Sequence, residues 1–232
     1  MKNMSPHTDS LKRAAALKAV EYVRSGMVVG LGTGSTAKHV IAALGDRVKK
    51  GLKIKGVPTS QETARLARKA KIPLLPESGV LPIDVAIDGA DQVDAQFNLI
   101  KGGGGALLKE KIVASAARQF IVVIDHTKRV PMLGGPFPLP VEVIPFGWRN
   151  TAQHIEGLGG KPELRKKSGK VCVTETGHYI LDVHFPRIAD PAVMERQLNQ
   201  IPGVVENGLF VGRTDILIVG TPQGVDVQPA KR

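Results

Sequence analysis

At 232 residues, with 42% apolar and 4% aromatic content, the chain is long enough for one or two globular domains with a sizeable core. Its apolar runs fall well short of the about 18 residues that a membrane span requires, so no membrane partner is expected. The polar start "MKNMSPHTDSLKR" lacks the apolar stretch of a secretory signal and a single Cys172 rules out an intrachain disulfide framework, which makes the cytoplasm the expected location. The formal charge of +11 raises nucleic acid as a partner, but the distribution argues against it. Positive residues come in short groups, "KKGLKIK", "RLARKAK" and "RKKSGK", without interleaved aromatics or a nucleic-acid-binding motif, and read as solvated faces. A small anionic ligand would still be drawn to such a surface.

In chain order, "SLKRAAALKAVEYVR" (10–24) has apolar positions at helical spacing and stops at Ser25-Gly26. "MVVGLG" reads as a strand and "TGSTAKHVIAAL" as loop and helix. "LKIKGV" leads into "PTSQETARLARKA", where Thr59 and Glu62 have capping-box spacing. "DVAI" then leads into "DGAD", and "FIVVI" into "DHTK". Alternating strands and helices imply right-handed crossovers and a mainly parallel sheet, with the loops after the strands along one edge, where open α/β sheets bind ligands.

Past Gly134-Gly135 the composition shifts to proline and then to glycine and lysine, which sets an expected domain boundary. One domain is expected over 1–133 and 208–232, and a smaller α+β unit over 134–207. In the latter, "VCVTETGHYILDVHF" reads as a hairpin, with Val171 and Val173 on one face of its first strand and Tyr179, Leu181, Val183 and Phe185 on one face of the second. "DPAVMERQLNQI" reads as a helix and "GVVENGLF" as a strand. "DILIVG" is a last strand able to rejoin the first sheet, and "QPAKR" a frayed tail.

The glycine loop "GLGTGST" fails the dinucleotide fingerprint, because position 35 is Ser35, and no P-loop pattern occurs. What it offers is the hydroxyls of Thr33, Ser35 and Thr36 around Gly34, beside the amides of a helix start. That set suits phosphate or sugar oxygens, or simply a capped turn. In "DGAD", Asp88 and Asp91 flank Gly89-Ala90 directly after a strand. An Asx turn with a helix cap explains one aspartate comfortably and two less well, which leaves acid–base use. The six histidines show no paired ligand spacing, so no metal is expected. "LIKGGGGALLKEKIVASAAR" places Lys101 before the run Gly102, Gly103, Gly104 and Gly105, and Glu110 beyond it. Residues without Cβ let a ligand touch the main chain, and Lys101 can face developing negative charge. With Ile112, Val113, Ala116 and Ala117 as the buried face of the helix, Glu110 is either a surface residue balancing Lys109 and Lys111 or turned toward the loop. Hydroxyls, carboxylates and a lysine, without a reactive thiol or a Ser/His/Asp triad, suit proton transfer through an enediol.

At these residues the sequence resembles the A-type ribose-5-phosphate isomerase family. "GLGTGSTA", "VPTSQET", "DVAIDGAD", "LIKGGGGALLKEKIVA", "IPFG", "ILDVH" and "IPGVVENGLF" follow the family's order and spacing over almost the whole chain. The resemblance implies a Rossmann-like α/β domain with a smaller ferredoxin-like α+β domain, a homodimer or homotetramer, no cofactor, and interconversion of ribose 5-phosphate and ribulose 5-phosphate. It makes Glu110 the general base and Lys101 the group that stabilises the enediolate, with Asp88 and Asp91 assisting ring opening and proton transfer. Substrate binding is implied for Thr33, Gly34, Ser35 and Thr36, for Asp88, Gly89, Ala90 and Asp91, for Lys101, Gly102, Gly103 and Gly104, and for Lys128. Two departures stand out: Gln92, where glutamate is common, and Asp125-His126-Thr127-Lys128 in place of D-x-S-K. The rival reading is a non-catalytic effector-binding module for sugar phosphates, which would keep the phosphate loop without needing Glu110 or Lys101.

Overall fold

The computed structural model describes residues 6–76 and 82–230. They begin with α1 (Pro6–Ala19), β1 (Val28–Leu31), α2 (Ser35–Lys49), β2 (Lys55–Pro58), α3 (Gln61–Lys69) and β3 (Ile83–Asp88). The short strands β4 (Gln92–Val93) and β5 (Leu99–Ile100) precede α4 (Leu107–Ala116), β6 (Ala117–Asp125) and β7 (Leu139–Val143). Then come α5 (Trp148–Glu156), β8 (Lys161–Leu164), β9 (Lys166–Lys167), β10 (Lys170–Val171), β11 (Tyr179–His184) and α6 (Pro191–Asn199). The last strands are β12 (Val204–Asn207), β13 (Leu209–Phe210), β14 (Ile216–Thr221) and β15 (Gly224–Pro229).

By compactness the chain divides into two units. One runs to Ala90, resumes over Lys109–Lys128 and again from Arg213; the other takes Asp91–Leu108 and Arg129–Gly212. Sequence composition placed the change at 133/134 and 207/208. The structure draws 91–108, 129–133 and 208–212 into the second unit; β4 and β5 pair there with β13, an antiparallel alignment that composition does not reveal.

The first unit is a Rossmann-like sheet in the order β15-β14-β6-β3-β1-β2. All its neighbours are parallel except β15, which runs antiparallel to β14. Val85, Ile87, Ile121 and Val123 are buried, as expected of strands covered on both faces. Fully burying each such side chain is worth roughly 1.5–3 kcal/mol. Ala15, Ala16 and Ala19 of α1, with Val20 and Val23, enter the same core. Because β1 is followed by β2 on one side and β3 on the other, the strand order reverses between β1 and β3, the place where open α/β sheets leave a crevice for ligands.

Three local expectations need correction here. The capping residue of α3 is Ser60, whose hydroxyl accepts the Thr63 N–H at 3.1 Å. Thr59 instead donates to the Leu31 carbonyl at 3.1 Å. The expected tail at 228–232 is strand through Pro229, while 231–232 lie outside the described residues. Gln228 and Pro229 belong to an edge strand, where proline's missing N–H costs no ladder bond. Finally, Ile112 is 52% exposed and Glu110 only 5% exposed, so α4 turns Leu107, Glu110, Lys111, Val113 and Ala114 inward.

The second unit contains a four-stranded antiparallel sheet in the order β12-β7-β11-β8. Its elements follow as β7, α5, β8, β11, α6 and β12, the split β-α-β pattern of ferredoxin-like folds. Val141, Val143, Leu181 and Val183 meet Ala152 and Ile155 of α5 and Leu198 of α6 in its core. Helix α6 starts at Pro191 behind Asp190, whose carboxylate accepts the Val193 N–H at 2.9 Å. The hairpin expected over 171–185 shrinks to a single bridge between Val173 and Tyr179. Strand β11 pairs with β7 and β8 instead, and Val173 is 61% exposed. The apolar alternation of 179–185 is satisfied by the core beneath α5 and α6, which leaves 171–173 with no face to bury.

Candidate active site

In the first unit, parallel pairing brings the C-terminal ends of β1, β2, β3 and β6 to one edge. Asp88 closes β3, is 4% exposed, and its Oδ1 accepts the N–H of Thr33 at 3.1 Å and that of Gly89 at 2.7 Å. It thus ties the loop after β1 to the loop after β3. A Cβ on Gly32 would fall inside the Asp88 carboxyl, which explains a glycine there. Gly32→Ala is expected to displace that carboxyl and lower kcat/KM about tenfold or more. Steady-state assay beside a thermal melt checks this; unchanged kcat/KM would mean that the carboxyl position is unimportant.

The hydroxyls of the loop divide in purpose. Thr33 Oγ1 lies 2.8 Å from Thr59 Oγ1 and donates to Ser60 Oγ at 3.0 Å, while Thr63 Oγ1 donates to the Gly32 carbonyl at 2.7 Å. This cluster braces the β1 loop against the start of α3. Gly34 (φ +102°) precedes α2, so Ser35 and Thr36 lie in its first turn, where amides lack intrahelical acceptors and the helix dipole favours an anion. Thr36 is buried, and its side chain lies in contact with the space beside Gly89.

Lys12 was not singled out by sequence pattern, yet it is 6% exposed, and its ammonium donates to Ser35 Oγ at 3.2 Å and lies 3.6 Å from Asp125 Oδ2. A cation held at a helix N-terminus strengthens an anion site. Only its burial within a basic helix distinguishes Lys12 from Arg13 or Lys18, and burial is not visible in "SLKRAAALK". Asp125 Oδ1 accepts both the N–H, at 3.0 Å, and the hydroxyl of Thr127, so threonine closes this turn. Lys128 ends the same turn, half-buried. Glu110 lies on α4 in the first unit; its burial removes the reading as a surface carboxylate balancing Lys109 and Lys111.

In the second unit, Asp91 Oδ2 accepts the Gly103 N–H at 2.8 Å, and the Asp91 N–H donates to the Ile100 carbonyl at 2.8 Å. Lys101 is 3% exposed, and its ammonium stands 5.5 Å from the centroid of the Phe210 ring. Its N–H donates to the Gly208 carbonyl at 2.9 Å. A Cβ on Gly208 would strike the Lys101 carbonyl, so that glycine permits the approach. Gly102 (φ +100°) and Gly105 (φ +81°) bound a turn closed by the Gly105 N–H on the Gly102 carbonyl at 3.0 Å, with Gly103 and Gly104 exposed at its tip. Gln92 pairs both ends of its amide with the Gly134 backbone, at 2.8 and 2.9 Å. A carboxylate could not donate the first bond, which accounts for an amide here. Among the described residues, no group of three His, Cys, Asp or Glu side chains is placed to hold a metal ion, and no helix is long and apolar enough to cross a membrane.

In the first unit, a β1–β3 switch point with a helix N-terminus, the buried carboxylates Asp88, Glu110 and Asp125 and the buried Lys12 define the class: an α/β protein with a candidate site for an anionic ligand. The model of the family described as ribose 5-phosphate isomerase A (phosphoriboisomerase A) matches residues 55–224. The ribose-5-phosphate isomerase A of Thermosynechococcus vestitus is 53% identical over 227 residues, covering 96% of this chain and 95% of that protein. A solved D-ribose-5-phosphate isomerase in complex with phospho-erythronic acid is similar at a TM-score of 0.93 and 44% identity, over 97% of this chain and 100% of the other. The ribose 5-phosphate isomerase A of Methanocaldococcus jannaschii gives 0.91 and 42%, over 95% and 99%. The chain belongs to the ribose-5-phosphate isomerase A family and is an isomerase. Matches of this extent to enzymes leave the effector-module reading without support.

Proposed function

We propose that the chain interconverts D-ribose 5-phosphate and D-ribulose 5-phosphate through an enediolate, with Glu110 as general base. Ring opening, assisted by the Asp88 and Asp91 carboxylates, exposes the C1 aldehyde. Glu110 takes the C2 proton, the electron pair forms a C1–C2 double bond, and O1 becomes an oxyanion facing Lys101. A proton passes from O2 to O1, and Glu110 returns its proton to C1, leaving the ketone at C2. The phosphate is received by the first turn of α2, with Ser35, Thr36, Lys12 and Lys128. The reading rests above all on the burial of Glu110 and Lys101, 5% and 3% exposed, since charges withdrawn from water are costly and contribute nothing to solubility. A cytoplasmic setting and a homodimer or homotetramer belong to the same proposal, the assembly being open to light scattering on the eluted protein.

The test is isomerisation in D2O with excess chelator present. A proton resting on Glu110 exchanges with solvent, so ribulose 5-phosphate should carry deuterium at C1 by mass spectrometry, incompletely where return to carbon outruns exchange, and the rate should be unchanged by chelator. Deuterium-free product together with strict dependence on added metal would replace this route with a hydride shift.

A further inference from the structure

Arg165, between β8 and β9, is bound at every part of its guanidinium. Its Nε donates to Asp182 Oδ2 at 2.8 Å and its Nη2 to Asp182 Oδ1, a two-pronged pair with side chains 16% and 21% exposed. The remaining prong, Nη1, donates to the Gly102 carbonyl at 2.9 Å and approaches the Gly103 carbonyl at 3.4 Å. The main chain of Arg165 is itself fixed, its N–H on the Ile180 carbonyl and its carbonyl accepting from Cys172, each at 2.9 Å.

The glycine run is therefore gripped on both sides of one peptide plane. The carbonyl of the 102–103 peptide meets Arg165, and its N–H meets the Asp91 carboxylate at 2.8 Å. A run of glycines is the most pliable backbone available, and nothing in its own side chains holds it in one shape. A catalytic group loses much of its effect when displaced by about 1 Å.

We propose that Arg165, oriented by Asp182, is a positioning residue for the isomerisation: it locks the glycine turn and through it the placement of Lys101 and Asp91. This rests on the functional reading above. Lysine is not equivalent, because its three N–H groups radiate from one nitrogen, whereas the planar guanidinium reaches Asp182 and the Gly102 carbonyl from three separate nitrogens.

The test is a double-mutant cycle with Lys101, assayed on ribose 5-phosphate. Arg165→Met is expected to lower kcat about tenfold with KM changed less than about threefold, while adding less than about twofold to the loss already present in Lys101→Met. Asp182→Asn, which keeps the guanidinium but loosens its anchor, should show a smaller loss that Lys101→Met likewise absorbs, and it carries the test if Arg165→Met proves unstable to heat. Unaltered kcat in a folded Arg165 or Asp182 variant overturns the proposal, as do losses that multiply in full with that of Lys101→Met. Wild-type protein inert toward ribose 5-phosphate would instead overturn the functional reading, so the two failures are distinct.

Discussion

Glu110→Gln should leave a folded protein that binds ribose 5-phosphate and turns it over about a thousandfold more slowly, the loss expected when a general base is removed. The amide is nearly isosteric with the carboxylate, so the inward face of α4, with Leu107, Val113 and Ala114, keeps its packing. What disappears is the ability to take a proton from carbon. KM should stay close to wild type and the thermal midpoint should hold. Turnover within a few-fold of wild type in a normally folded variant would remove Glu110 from the mechanism.

Lys101→Met should lower kcat about a hundredfold or more, in the range seen when one donor to a developing oxyanion is deleted. Methionine retains most of the stem packed near Phe210 and removes the ammonium alone. Because the charge on O1 arises in the transition state, the loss belongs in kcat; an interaction equal in ground and transition states would raise KM only. A variant with raised KM and intact kcat would make Lys101 an anchor for phosphate or hydroxyl groups. The Gly103 N–H and Asp91 should keep their 2.8 Å bond in either case, since neither partner is altered.

Local patterns carried much of the first unit. Strands ending in glycine or aspartate and followed by helical periodicity led to the parallel sheet, and the ends of β1 and β3 fell where "GLGTG" and "DGAD" pointed. Position within a turn was less accessible: Thr59 and Ser60 are both good caps, and only the backbone path decides which faces the Thr63 N–H. Burial was hardest. Lys12, Glu110 and Lys111 look like surface charges when surrounded by lysines in the sequence, and each is 6% exposed or less because of what packs over it. Arg165 and Asp182 lie far along the chain from the glycine run, and hydrogen bonds between distant segments leave no periodic trace. The second unit was read least well for the same reason, since β8 and β11 pair across residues that resemble a linker.

The central strand β6 is flanked by β3 on one side and β14 on the other, and between β6 and β14 the chain builds the larger part of the second unit, residues 129–212. This order governs synthesis. A ribosome releases β1, β2, β3 and β6 long before β14, so the nascent sheet carries an apolar, unpaired edge along Ile121, Val122, Val123 and Ile124 while residues 129–212 are translated. Such edges invite pairing with other chains, and contacts between distant segments form slowly. The first unit therefore cannot mature co-translationally ahead of the second. The sheet is complete only when Ile216–Thr221 arrives to pair with β6.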